Sequence, residues 1–404
     1  MSIENNEIRK KIDSINWNFD FTINYQANEL HPFNCRKYFS YPATFIPEIP
    51  YSLIEILSRK GDVVLDPFGG IGTTFMQALL LEREPYSFDI NPVASSVCNT
   101  LFSLFDPKLD IDSLEKCLEN LVDGYDPEID YASSVVRVPL NDLDVWFESN
   151  TYNKLNFLLQ QCNGICEKKY KEIALFVLSS ILVRSSSQNK GWAYIADNVK
   201  PKESEYKQKQ VFDIYKSSFK VLLSDIRNYR NKMSYDKFSE FYLSVSESAH
   251  IVTGSFINSS LKPNSVDLVV TSPPYPKMID YVKSQRLSFE FFDKEFKNYV
   301  SEEIGARARR AQRDCLQKYI EDIRKINKKM VSVMKKGAFL CIVLPDYDHT
   351  DARYDVIKDI VEEYKIKDFE MVYDKRRYIP SNKRTLSIQW ATLVNERIYI
   401  YRKN

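Results

Sequence analysis

The chain has 404 residues, 44% hydrophobic and 27% charged, the make-up of an ordinary globular protein with room for one large or two medium domains. The formal net charge of +1 excludes a nucleic-acid surface announced by global charge, so any such surface rests on local basic patches. Seven scattered cysteines, no secretory leader and no apolar run of membrane length point to a reducing cytoplasm, and with only three histidines a metal site is not expected.

Residues 1–30 are polar with a few aromatics and read as an arm or peripheral helix. Prolines then keep the segment from His31 to Glu48 extended, and apolar spacing predicts a short amphipathic helix from Pro50 to Lys60. Val63-Val64-Leu65-Asp66 reads as a buried strand. It runs into Pro67-Phe68-Gly69-Gly70-Ile71-Gly72-Thr73-Thr74 and a helix through Leu81, the first unit of a doubly wound sheet. Glycines let the backbone approach a ligand, and the helix start, capped by Thr73 or Thr74, offers free N–H groups. No Gly-Lys-Ser/Thr follows, which disfavours a phosphate-binding loop.

A second strand, Pro85 to Asp89, ends in an acid about twenty residues after the glycine turn, the spacing at which an acid reaches ribose hydroxyls. The other reading of Asp89 is a helix cap, because Asn91-Pro92 opens another helix. From about Asp106 to Ser248 helical spacing dominates, giving a mainly helical insertion. Within it, Arg184 to Tyr194, with Lys190, and then Lys200-Pro201-Lys202 mix basic, hydroxyl and aromatic residues, a mixture that suits a nucleic-acid backbone or a solvated connector.

The sheet resumes at His250 to Ser255 and at Val266-Asp267-Leu268-Val269-Val270. The latter strand exits into Thr271-Ser272-Pro273-Pro274-Tyr275. Two prolines end its ladder and leave carbonyls beside the Ser272 hydroxyl, acceptors for a ligand amine, with the flat face of Tyr275 at the same spot. Residues 301–329 form a basic stretch that includes Arg307, Arg309, Arg310 and Arg313. Another strand, Ala338 to Pro345, precedes a closing antiparallel hairpin: Asp368 to Tyr373, a basic loop with Lys375, Arg376, Arg377, Lys383 and Arg384, then Ile398 to Tyr401.

Asp66-Pro67-Phe68-Gly69-Gly70-Ile71-Gly72-Thr73-Thr74 resembles the S-adenosylmethionine motif of DNA amino-methyltransferases, and Thr271-Ser272-Pro273-Pro274-Tyr275 resembles their catalytic motif. The serine form is similar to the enzymes that methylate N4 of cytosine. Tyr41 to Pro47 resembles the segment that folds over the cofactor, and Asn395-Glu396-Arg397-Ile398 the family's ending. The resemblance covers roughly residues 31–105 and 250–404. It implies an α/β fold, a Rossmann-like class I methyltransferase sheet, mostly parallel with a C-terminal antiparallel hairpin. Residues 1–106 and 250–404 would form the catalytic domain around a helical insertion at 107–249.

By this resemblance, Phe45, Asp66, Phe68, Gly70, Gly72, Thr73 and Asn91 contact S-adenosylmethionine, Asp89 holds its ribose, and Ser255 stands where the family often has an acid near the adenine. Ser272, Pro273, Pro274 and Tyr275 would be catalytic, with Tyr275 stacking on a base flipped from double-stranded DNA. Arg184, Lys190, Lys200, Lys202, Arg307, Arg309, Arg310 and Arg377 would meet phosphates. A cognate restriction endonuclease is the accompanying partner this implies. Methylation of ring carbon 5 would need a cysteine nucleophile, usually after proline, and no Pro-Cys occurs. The rival readings are an adenine N6 enzyme, an RNA guanine N2 enzyme, and a non-catalytic nucleic-acid-binding subunit with the same fold.

Overall fold

The computed structural model describes residues 3–19, 31–133, 143–188, 200–233, 235–246, 250–292, 297–306, 311–365, 368–379 and 395–404. Among them the strands β1 (Val63–Asp66), β2 (Glu84–Asp89), β3 (Ile251–Thr253), β4 (Val266–Thr271), β5 (Met334–Pro345), β6 (Phe369–Tyr378) and β7 (Asn395–Lys403) form one sheet. Its order is β3-β2-β1-β4-β5-β7-β6. The pairs from β3 through β5 are parallel, and β7 runs antiparallel to both β5 and β6. This is the Rossmann-like class I methyltransferase sheet expected from the sequence.

Alternation along the strands sends side chains to opposite faces. Val64, Leu268, Val270, Cys341 and Val343 pack against helices α1 (Ile3–Asp13) and α2 (Glu48–Leu57). Leu65, Val269, Leu340 and Ile342 share the other core. The helices of the chain between β1 and β3 are α3 (Thr73–Leu80), α4 (Pro92–Ser103), α5 (Ile111–Asn120), α6 (Ser149–Gly164), α7 (Lys168–Ser185), α8 (Val211–Lys232) and α9 (Tyr235–Ser246). They build a core of their own, with Trp146, Phe157, Tyr215 and Phe219 nearby or within it and almost fully buried. After β4 come α10 (Tyr281–Ser284), α11 (Arg286–Phe291), α12 (Lys297–Glu302), α13 (Cys315–Val333) and α14 (Arg353–Lys365), the last two covering the Leu65 face.

The segment leading to the cavity is pinned from below. Gln77, fully buried on α3, donates to Phe33 O at 2.9 Å and accepts from Phe33 N at 2.9 Å. This two-way clasp satisfies backbone groups that no strand or helix would pair.

One expectation is corrected at the C-terminal hairpin. Lys375, Arg376 and Arg377, read as loop, lie inside β6 and pair in register with Ile398, Arg397 and Glu396 of β7. Acids from elsewhere neutralise the run: Arg377 pairs with Glu396 across on β7, and Arg376 pairs with Asp346 just beyond β5. No described helix is long and apolar enough to cross a membrane.

Candidate active site

The order of the sheet reverses between β1 and β4, and the crevice beyond the carboxyl ends of these two strands is where open α/β sheets bind ligands. Asp66, the last residue of β1, bridges the crevice's floor. Its Oδ1 accepts from Phe68 N at 3.0 Å and from Thr271 Oγ1, at the end of β4, at 2.7 Å. The glycine turn is thereby tied to the strand that delivers Ser272.

Gly70 and Gly72 both adopt left-handed backbone, at φ 53° and 88°. Gly70 N donates to Asp89 Oδ2 at 2.8 Å, and Asn91 N donates to Asp89 Oδ1 at 2.8 Å. Asn91 Oδ1 in turn accepts from Val93 N at 3.0 Å. Asp89 therefore holds the turn, and the side-chain cap of α4 is Asn91 rather than Asp89. The cap of α3 also differs from expectation: it is Gly72, without a side-chain cap, and Thr73 is the first helical residue. A Cβ at Gly72 would lie 2.2 Å from Cys98 Sγ, so that glycine is required by helix packing.

Above this floor lies a cavity of about 370 Å³. Phe45, Asp66, Phe68, Gly70, Thr73 and Asp89 line one part of it, together with Asn91 and Ser255. Ser272 and Pro274 line the same space. Both motifs thus open onto one cavity, and the strap from Tyr41 to Phe45 closes a side of it. Ser255 acts locally as well, capping a 3-10 turn (Phe256–Asn258) through its hydroxyl.

Some expected residues are elsewhere. Gly72, Pro273 and Tyr275 are not in the lining. Tyr275 is 6% exposed and turns its hydroxyl to Glu396 Oε1 at 2.8 Å, so its ring is not a free stacking face in this conformation. The Pro274 carbonyl, expected to be open, accepts from Tyr319 Oη at 2.9 Å. Arg377, expected at a nucleic-acid surface, is 1% exposed and ion-paired with Glu396, so it cannot meet a phosphate in this arrangement. Arg184, Lys200 and Lys202 are exposed. Lys190, Arg307, Arg309 and Arg310 lie outside the described residues.

Sequence reasoning passed over Glu303. It is 4% exposed, lines the cavity, and accepts from Tyr281 N at 2.5 Å and Val282 N at 3.3 Å. Burial pushes its carboxyl up to about 8, and burial likewise pushes Asp66 and Asp89 up to about 6. Lys318, on α13, is the cation in that lining among the described residues. Buried acids around a half-apolar cavity favour a cationic ligand, because a positive charge offsets their desolvation. S-adenosylmethionine carries a sulfonium and an ammonium group, and its remaining parts suit Phe45, Phe68 and the open backbone of Gly70. The residues present fit it.

Residues 3–99 match the profile of the N6/N4 DNA methylase family. Type II methyltransferase M.BsoBI of Geobacillus stearothermophilus is 25% identical over 72% of this chain and 58% of its own length. Type II methyltransferase M.MvaI of Kocuria varians is 26% identical over 71% of this chain and 63% of its own. The chain thus matches about three-fifths of the length of these relatives. A solved rRNA methyltransferase, aviRa from Streptomyces viridochromogenes, is 8% identical with a TM-score of 0.32 over 94% of this chain and 93% of its own, a likeness too weak to add to the topology. Profile, relatives, sheet order and two motifs opening on one cavity together support the DNA amino-methyltransferase family for this chain, with S-adenosylmethionine as the methyl donor that family implies.

Proposed function

We propose that this chain transfers a methyl group to the exocyclic amine of a base flipped out of double-stranded DNA, with N4 of cytosine as the acceptor. The observation that carries the reading is the shared cavity: Ser272 and Pro274 open onto the space lined by Asp66, Gly70 and Asp89. When bound, S-adenosylmethionine supplies a methyl on a positively charged sulfur, with a neutral thioether as leaving group.

The chain's own work is orientation and electrostatics. Asp89 uses one lone pair of each oxygen on Gly70 and Asn91, which leaves further lone pairs for ribose hydroxyls. Phe45, Asp66, Phe68, Gly70, Thr73, Asn91 and Ser255 form the rest of the donor's cradle. An aryl amine is a poor nucleophile because its lone pair is conjugated into the ring. The Ser272 hydroxyl accepts one of its hydrogens and favours a pyramidal nitrogen that points its lone pair at the methyl. No covalent intermediate with the protein is needed. Gly72 and Tyr275 act from outside the cavity, the first through α3 and the second through Ser272.

Ser272 before Pro-Pro-Tyr supports the cytosine branch. Adenine N6 is the second reading, because the matched profile spans both amines. The DNA methylase description of the matched profile supports DNA as the substrate, and a cognate restriction endonuclease is the partner proposed with it. Residues 107–249 are the unit proposed to meet DNA, through the exposed Arg184, Lys200 and Lys202. The test is transfer of isotope-labelled methyl to mixed-sequence duplex DNA or to total RNA. Label in DNA is the expected result; label in RNA alone refutes the reading.

A further inference from the structure

Behind the Ser272 wall of the cavity runs a chain of hydrogen bonds that ends in a charge pair between the half-buried Glu396 and the buried Arg377. Tyr275 Oη donates to Glu396 Oε1 at 2.8 Å. Ser272 Oγ lies 3.4 Å from Tyr275 Oη and 3.3 Å from Val343 O. Arg377 Nε sits 3.1 Å from Glu396 Oε2, and the two residues are register partners across β6 and β7. The antiparallel hairpin therefore delivers a carboxylate to the rear of the Ser272 loop.

The direction of each hydrogen follows from donor and acceptor identity. A carboxylate only accepts, and Arg377 fixes its position from the far oxygen. The Tyr275 hydrogen is thus committed to Glu396, and burial next to that charge keeps the phenol protonated. The Tyr275 oxygen can then only accept. Val343 O is an acceptor as well, so the Ser272 hydrogen points at one or other of them, away from the cavity. Toward the cavity Ser272 presents lone pairs alone.

We propose that Glu396, held by Arg377, is a positioning residue that acts through Tyr275 to fix the Ser272 hydroxyl as a pure hydrogen-bond acceptor, so that the site takes a base edge bearing an amine and rejects one bearing a carbonyl. The proposal rests on the amine-methylation reading above. Glu396→Gln is the sharp perturbation. Its amide can donate to Tyr275, which frees the Tyr275 hydrogen to occupy a Ser272 lone pair that the amine needs. Each donor facing a charged acceptor is among the stronger hydrogen bonds, and reversing this one is expected to slow single-turnover methyl transfer about tenfold to a hundredfold.

The experiment has two arms on the full chain. In the first, proteins carrying carbon-13 at the tyrosine ring carbon that bears the hydroxyl are compared by NMR, with the Tyr275 resonance identified by its loss in Tyr275→Phe. Glu396→Gln is expected to shift that resonance in the protein without donor or DNA. In the second, Glu396→Gln and Tyr275→Phe are combined in a double-mutant cycle on the methyl-transfer rate. If Glu396 acts only through the Tyr275 hydroxyl, Glu396→Gln causes no further loss in the Tyr275→Phe background, with donor affinity unchanged throughout. Should the single variant unfold because Arg377 is left uncompensated, Arg377→Met combined with Glu396→Gln removes both charges together and is expected to give the same shift and rate loss. An unmoved Tyr275 resonance, or rate losses that simply add, overturns the proposal. A wild-type chain that methylates no DNA refutes the amine-methylation reading instead, and the resonance arm still decides the hydrogen-bond chain.

Discussion

Glu303 gives the most direct check on the electrostatics of the cavity. It is 4% exposed, and its raised value of about 8 stands against 4.5 for an ordinary glutamate. Burial is the main cause; the Tyr281 and Val282 amides oppose it, while Asp280 and Asp89 add to it. A raised folded-state value means that below pH 4.5 the group is protonated folded or unfolded and its favourable contribution is complete. As pH rises toward about 8 only the unfolded chain ionises, so stability is lost at about 1.4 kcal/mol per pH unit, on the order of 3–5 kcal/mol in all. Glu303→Gln keeps the acceptor for Tyr281 N and abolishes the titration, giving up the longer bond from Val282 N at about 1 kcal/mol. Urea unfolding of the donor-free protein at several pH values is the assay. The variant is expected to match or slightly trail the wild type near pH 5 and to exceed it by a few kcal/mol near pH 8.5. Saturating S-adenosylmethionine should narrow the gap at the higher pH, because a nearby cation favours the ionised carboxylate. Asp66 and Asp89 titrate in both proteins and cancel in the comparison. A difference between variant and wild type that does not change with pH refutes the reasoning.

Ser272→Ala is expected to cut single-turnover methyl transfer by about a hundredfold or more while leaving donor affinity intact; a matching loss of affinity by calorimetry would show that the acceptor side has been misassigned. Asp89→Ala removes the acceptor for Gly70 N and Asn91 N and should both weaken donor binding and cost about 2–4 kcal/mol of stability. Unchanged donor affinity would end its ribose role. Gln77→Leu strips both partners from the Phe33 backbone and should cost about 2–4 kcal/mol in urea unfolding, and a loss near zero would mean that the strap is held by other contacts.

The sequence was most readable where the backbone needed unusual residues. Glycines at 70 and 72 marked the left-handed turn after β1, and two prolines marked the stop of β4. Apolar runs located most strands to within a few residues, because a parallel sheet buried on both faces leaves little room for polar side chains. The hairpin was misread at Lys375 to Arg377, since charge looked like loop while the neutralising acids are supplied from elsewhere, Glu396 across on β7 and Asp346 just beyond β5. Glu303 and Glu396 were invisible as site residues for a related reason. Each belongs to the site only through long-range packing, Glu303 across Tyr281 and Glu396 across Tyr275, and a single glutamate in a charged stretch carries no local signal of its burial. Tyr275 was placed at the correct turn, yet the direction of its hydroxyl depends on a strand more than a hundred residues away.

The two motifs share one cavity, and the chemistry proposed for it yields one product. Duplex DNA incubated with the protein and S-adenosylmethionine labelled in its methyl group can be digested to nucleosides and analysed by mass spectrometry. The label is expected on N4 of cytosine. Label on a ring carbon, or none in DNA, would contradict transfer to an amine held at Ser272.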